Sequence, residues 1–303
     1  MNIENKNNAL ITGRLPEILL ELLHEFKAEE FGSHQSKKAE YFDQVVSVLD
    51  LYSNQGKGVV ELVLDHGYVR MDPAWIMGKG DLDVVNDART SFMKESPSLS
   101  KKDIRLIDYL GREEHTAPFR GNVVKLEFYA PLMIARQFWK YIIGSQHQEE
   151  VQSDEIAKYQ DSFTAWNESS RRYITEELNF YIPNNSQWRS APIEGIKQGS
   201  GDVLNPLQEG RMLEKMMRKT VSDSVERYLK AIELGACIEQ ARLMLPAYSL
   251  YVRWHWTCSL QALTHMLNER LAKDAQKEIQ LYAQAVKNIT EHLFPNGMQK
   301  LLK

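Results

Sequence analysis

The chain has 303 residues, enough for one large domain or a domain with an appendage, and its net charge of −4 supplies no basic field for duplex nucleic acid. Its two cysteines, Cys237 and Cys258, have no CxxC partner and no second ligand at metal spacing, so both read as small buried residues in a reduced compartment, with no metal site. No apolar run approaches a membrane span and MNIENKNNAL lacks a signal-peptide core; the expectation is a soluble, cytoplasmic protein that meets neither membrane nor nucleic acid.

Residues 1–57 read as a helical N-terminal extension to a domain spanning 58–303. Pro16 can open a helix with Leu15, Leu19, Leu22, Leu23 and Phe26 on one face, and a second helix shows Tyr41, Val45, Val48, Leu49 and Tyr52 before Gly56 and Gly58. From Val59 the pattern changes: VVELVLDHGYVRM is β-branched with Gly67 as a turn, a hairpin entry. Asp81 to Phe92 reads as a short helix capped by Asp81, with Val84, Val85 and Ala88 inward; Lys101 to Leu110 is another, with Ile104, Ile107 and Leu110 inward.

The stretch from Leu126 to Pro183 organises the rest. An apolar, alternating run from Leu126 to Ile134 feeds a helix from which Arg136, Gln137 and Lys140 emerge as polar members. After an insertion over 146–166, Asn167, Glu168, Ser169, Ser170, Arg171 and Arg172 crowd together before the extended Phe180-Tyr181-Ile182-Pro183. Hydroxyls, a carboxylate and two guanidiniums there suit an anionic, hydrogen-bonding small molecule. They equally suit a solvated helix start with Asn167 or Ser170 as its cap. Asn184 to Pro206 is a long loop or lid. Leu213 to Leu234 is an amphipathic helix whose stripe (Leu213, Met217, Val221, Val225, Tyr228 and Ile232) reads as core, stopped by Gly235. A last helix runs from Ala275 to Leu293 and stops before Pro295.

These motifs carry a resemblance. Ala135-Arg136-Gln137-Phe138 and Asn167-Glu168-Ser169-Ser170-Arg171-Arg172-Tyr173 resemble the two ends of the signature A-R-Q-W … R-H-R-x-x-S-x-N-E-x-S-x-R-Y of the flavin-dependent thymidylate synthases. Ala88 to Phe92, His115 to Phe119, Ala241 to Pro246, Trp256-Thr257, and Ala275-Gln276 with Glu278-Ile279 resemble further family segments, so the likeness runs from about Val59 to Pro295. Two departures stand out. Lys140-Tyr141-Ile142 replaces Arg-His-Arg, and Ser259, Gln261 and His265 stand where the family has Asn, Arg and Asn.

The resemblance implies an α+β fold, an antiparallel or mixed sheet flanked by helices, assembled as a homotetramer. It implies FAD as cofactor, with NADPH and methylenetetrahydrofolate as co-substrates for the methylation of dUMP. Gln137, Glu168, Ser170, Arg172, Arg242 and Arg270 are implied to surround the nucleotide, with Arg270, Glu168 and Ser170 serving the chemistry. Ser91, His115, Lys140, Tyr141, Asn167, Ser259, Gln261 and His265 are implied to face the flavin. A sister enzyme with another one-carbon product and a non-catalytic nucleotide-binding homologue stay open as alternatives.

Overall fold

The computed structural model describes residues 59–64, 66–72, 76–143, 165–169, 178–192 and 199–302. The expected extension over 1–57, the insertion up to residue 164, and Ser170 and Arg172 lie outside the described residues.

The architecture is a sheet with helices laid on one face. Its strands are β1 (Val59–Val63), β2 (Gly67–Met71), β3 (Ile76–Met77), β4 (Val123–Pro131), β5 (Ala165–Glu168) and β6 (Tyr251–Ser259). They run antiparallel in the order β1-β2-β4-β6-β5, with β3 also paired to β4. The expected hairpin is β1–β2, with Val63 opposite Gly67. Its glycine is set by space, because a Cβ there would lie 1.9 Å from the Tyr282 hydroxyl. β4 and β6 form the spine, paired from Val123 opposite Ser259 to Pro131 opposite Tyr251.

Alternation along these strands sorts the two faces. One face carries Val69, Leu126, Phe128, Ala130, Trp254, Trp256 and Cys258, all of them buried. It is covered by α3 (Leu132–Ile143), α6 (Leu260–Arg270) and α7 (Lys277–Thr290). Phe138 from α3 packs 4.8 Å from Phe128, which stacks on Trp254 at 4.8 Å; Trp166 of β5 stacks on the other side at 5.0 Å. Each such side chain contributes on the order of 1.5–3 kcal/mol by leaving water. The other face carries Tyr68, Arg70, Glu127, Tyr129, Arg253 and His255. The Glu127 carboxylate accepts from Tyr68 Oη at 2.6 Å, from the Arg70 guanidinium and from Arg253 Nη1 at 3.5 Å. Burial drives this carboxyl up, but the Tyr68 and Arg70 hydrogen bonds outweigh it and hold it below the usual range.

The remaining elements bring three corrections. In α1 (Asp81–Arg89), Val84 and Val85 are buried as expected, but Asp81 does not cap its own helix. Its carboxylate accepts from the backbone N–H groups of Asn296 and Gly297 at 2.7 and 2.9 Å, and so closes the start of α8 (Pro295–Leu301). The residue type was right for a cap; the helix it serves is 215 positions away in sequence. Next, α2 (Lys101–Arg112) opens on a reciprocal capping box between Ser100 and Asp103.

The long helix α4 (Arg211–Glu233) forms, entered by a π-helical turn over Pro206–Gly210 and ended at Gly235 with φ of 91°. Its stripe is not core. Val221, Val225 and Tyr228 are only partly buried, against a small cluster of Phe180, Leu245 and Leu250. The periodicity is real, but the described residues cover only part of this stripe. Cys237, expected inside, is exposed at the start of the short α5 (Ile238–Ala241), whereas Cys258 is buried. The expected lid is ordered where it is described: Ser190 N–H donates to Asp202 O at 2.9 Å and Leu204 N–H to Trp188 O at 2.9 Å, making a hairpin-like closure.

Candidate functional site

The polar residues expected at the site gather in three places. The first lies where α3, the end of α6 and the start of α7 meet. Gln137 and Tyr141 are one turn apart on α3, so both project on one face, toward Arg270, the last residue of α6. Arg270 Nε donates to the Tyr141 hydroxyl at 2.7 Å, and its guanidinium also lies 5.4 Å from that ring. Arg270 Nη1 donates to Gln137 Oε1 at 3.5 Å. His265 meets the Tyr141 ring edge-on at 5.7 Å. Tyr141 is itself buried; burial pushes its hydroxyl up, with the Arg270 charge opposing, so it stays a neutral phenol.

Gln137 has a second partner. Its Nε2 donates to Gln276 Oε1 at 2.6 Å, and Gln276 Nε2 donates to Glu278 Oε2 at 2.9 Å. Glu278 also pairs with Arg189 from the hairpin and accepts from Tyr181 Oη at 3.3 Å. Burial drives Glu278 up, but the Arg189 and Gln276 hydrogen bonds outweigh it, leaving an ionised carboxylate below its ordinary range. Beside this chain lies a cavity of about 470 Å³ lined by Met133, Tyr181, Arg189, Tyr248, Gln276 and Glu278, among others. Its size suits a small organic ligand.

The second place is the β5 edge. The structure puts Asn167 and Glu168 on a strand opposite His255 and Trp254, so the capped helix start is corrected for Asn167. Trp166 explains the strand: its indole stacks on Trp254, a gain no helix start would supply. Glu168 borders a cleft of about 280 Å³ lined by Leu132, Ala135, Arg136, Trp139 and Trp166. Burial raises its carboxyl, while the Trp166 indole and then the charges of Arg242 and Arg136 oppose the rise.

The third place is the far end of the helical layer. Ser91 lies in an exposed turn beside Phe92 and Met93, which are 71% and 97% exposed. His115 is exposed and meets Tyr109 edge-on at 5.9 Å. Gln261 Oε1 accepts from Arg120 Nε at 2.9 Å. Ser259 is buried and its hydroxyl caps α6 by accepting from Ala262 N–H at 3.2 Å. Lys140, by contrast, lies on α3 one residue before Tyr141, at the first place. Among the described residues, no group of three or more His, Cys, Asp or Glu is placed to hold a metal ion, and no helix is long and apolar enough to cross a membrane.

Comparisons with known proteins give the family. Residues 76–296 match the family model described as thymidylate synthase complementing protein. The flavin-dependent thymidylate synthase of Thermotoga neapolitana is 32% identical over 241 residues, covering 80% of this chain and 93% of that one. That of Thermus thermophilus is 32% identical over 237 residues, covering 77% and 74%. The chain belongs to the flavin-dependent thymidylate synthase family. As a member it is a methyltransferase-like enzyme with a flavin cofactor. Among solved structures, the UMP/dUMP methylase PolB from Streptomyces cacaoi, bound with 5-Br UMP, superposes with a TM-score of 0.60 at 21% identity, covering 80% of this chain and 95% of that one. At that identity the likeness concerns the fold.

Within a flavin-dependent thymidylate synthase fold, the chain's departures become specific. Where the resemblance has a histidine, Tyr141 turns inward and holds Arg270. Sequence reasoning missed Arg120, Arg189, Gln276 and Glu278. The signal for the last two was present in the Ala275-Gln276 and Glu278-Ile279 match, but nothing in that motif alone says which residues its amide and carboxylate meet.

Proposed function

We propose that this chain methylates dUMP to dTMP, taking the one-carbon unit from methylenetetrahydrofolate, with FAD as cofactor and NADPH as reductant. The observation that carries the reading is the fixed Gln137–Arg270 pair, assembled from separate segments and buttressed by Tyr141. A guanidinium whose Nε is already committed offers its Nη edge in one orientation, the requirement for directional recognition of a pyrimidine. The names borne by the relatives of Thermotoga neapolitana and Thermus thermophilus support the same substrate.

In this reading Arg242 and Arg172 neutralise the nucleotide phosphate, and Ser170 and Glu168 complete the polar rim. Glu168, raised by its surroundings and bordered by Arg136 and Arg242, is suited to share a proton with the bound substrate. Gln137 and Arg270 hold the base. The flavin would be met by Ser91 in its exposed turn with Phe92 and Met93, by the exposed His115 imidazole and by the Arg120–Gln261 pair. Asn167 on β5, and Lys140 and His265 beside Tyr141, which the resemblance also assigns to the flavin, stand in the other two clusters. Ser259 would shape its wall by capping α6, and Tyr141 would serve it by fixing Arg270. When bound, the flavin supplies the hydride; the protein orients the reactants and excludes water.

Homotetramer assembly is supported by the apolar surface that α4 and its flanks leave open, with Leu207, Leu234 and Leu243 at 78%, 76% and 80% exposure. A cytoplasmic setting follows from the substrates.

The test is a product assay. Purified protein with FAD, NADPH and methylenetetrahydrofolate should convert dUMP to dTMP, resolved by chromatography, with UMP run alongside. NADPH consumption without any methylated nucleotide would contradict the reading.

A further inference from the structure

The donor and acceptor directions in the Glu278–Gln276–Gln137 chain are not free to vary. An ionised carboxylate only accepts hydrogen bonds, whereas a carboxamide offers an acceptor at one end and donors at the other. Glu278 is 5% exposed and held by Arg189 and Tyr181, so its second oxygen faces Gln276 in a fixed place. Gln276 must therefore turn its NH2 toward Glu278, at 2.9 Å, which leaves its oxygen facing α3. Only the NH2 of Gln137 can satisfy that oxygen, and it does so at 2.6 Å. Gln137 Oε1 is then committed to the Arg270 side, where Nη1 lies 3.5 Å away.

We infer that Glu278, acting through Gln276, sets the orientation of the Gln137 carboxamide so that the Gln137–Arg270 pair shows the base one acceptor beside a donor edge, selecting a uracil over a cytosine nucleotide. Uracil meets this pair with its N3–H and a carbonyl oxygen. Cytosine held in the same register opposes the Gln137 oxygen with its N3 lone pair and leaves a buried polar contact unmade. Glu278 and Gln276 touch no reacting atom in this scheme; they are positioning residues. The inference rests on the nucleotide reading above and adds to it the device that chooses the base.

The experiment measures the affinities of dUMP and dCMP for the FAD-loaded protein by calorimetry, in the unmodified chain and in two variants. Gln276→Leu removes the relay while keeping the bulk, leaving the long 3.5 Å contact with Arg270 Nη1 as the remaining hold on the Gln137 oxygen, so that the carboxamide can turn and offer its NH2 to cytosine N3. The dUMP-to-dCMP affinity ratio should fall on the order of 10-fold, as for the loss of one directional hydrogen bond. Glu278→Gln is isosteric, but Arg189 and Tyr181 keep its oxygen, so its NH2 faces Gln276, reverses the chain and should lower the ratio at least as far, which a purely packing role would not predict. An unchanged ratio in either variant overturns the relay while leaving the nucleotide site intact. An unmodified chain that binds neither nucleotide overturns the nucleotide reading and the relay together.

Discussion

The two faces of the sheet use the same strands for different physics. On one, Leu126, Phe128, Trp254 and Trp256 exclude water beneath α3, α6 and α7. On the other, one buried carboxylate, Glu127, is answered by Tyr68, Arg70, Arg253 and a contact with His255 at 3.3 Å. Burial and the neighbouring cations Lys125 and Arg70 lower the His255 imidazole, with Glu127 opposing, so that contact is a hydrogen bond from a neutral ring at neutral pH. The apolar face is stabilised by volume, and the polar face by complete satisfaction of one charge. The first therefore degrades in proportion to what is removed, and the second fails when a single partner goes.

The comparison can be broken from either side. Phe138→Ala, which empties the space between Phe128, Trp254 and Trp256, should cost about 3–5 kcal/mol in chemical denaturation. Arg70→Leu keeps apolar bulk but strips the closest cation from Glu127 and should cost about 3 kcal/mol. If Arg70→Leu is neutral, Tyr68 and Arg253 suffice and the polar face is more tolerant than argued here.

Acid should reveal the same contrast. Glu127 and Glu278 are both held below their ordinary value of 4.5, so each contributes stability that is present above that pH and is lost as pH falls through the lower folded value. Thermal melts should show the decline beginning below pH 4.5, and Glu278→Gln should make it shallower. A melt curve of unchanged slope in that variant would remove Glu278 from the account.

The smallest effect sharpens the link from fold to site. Tyr141→Phe deletes the oxygen that accepts from Arg270 Nε while keeping the ring. Stability should change by about 1 kcal/mol or less, whereas the KM for dUMP should rise roughly 10-fold with kcat less affected.

The sequence exposed the apolar face readily and the polar one hardly at all. Alternation through Leu126, Phe128 and Ala130 is local, and so is the 3.6-residue pattern of α7. The Glu127 network joins β2, β4 and β6, with Arg253 lying 126 positions from its partner, and no window of sequence holds both. The same limit governs the site. Gln137, Arg242 and Arg270 were visible as motif members on separate segments, all of them within the 76–296 family match. That Tyr141 would face inward, that Asp81 would cap α8, and that Gln276 would bridge α3 to Glu278 depend on contacts between elements. The α4 stripe failed differently: amphipathic spacing reports that a face seeks cover, not which residues supply it, and the described ones leave Val221, Val225 and Tyr228 only partly buried.

The most direct measurement is dTMP formation from dUMP by the unmodified protein and by Arg270→Ala, with FAD, NADPH and methylenetetrahydrofolate supplied and folding of both checked by thermal melting. The account predicts dTMP from the first and a loss of at least about 100-fold in kcat/KM from the second, with nearly unchanged melting. Equal rates of dTMP formation in the two proteins would contradict it.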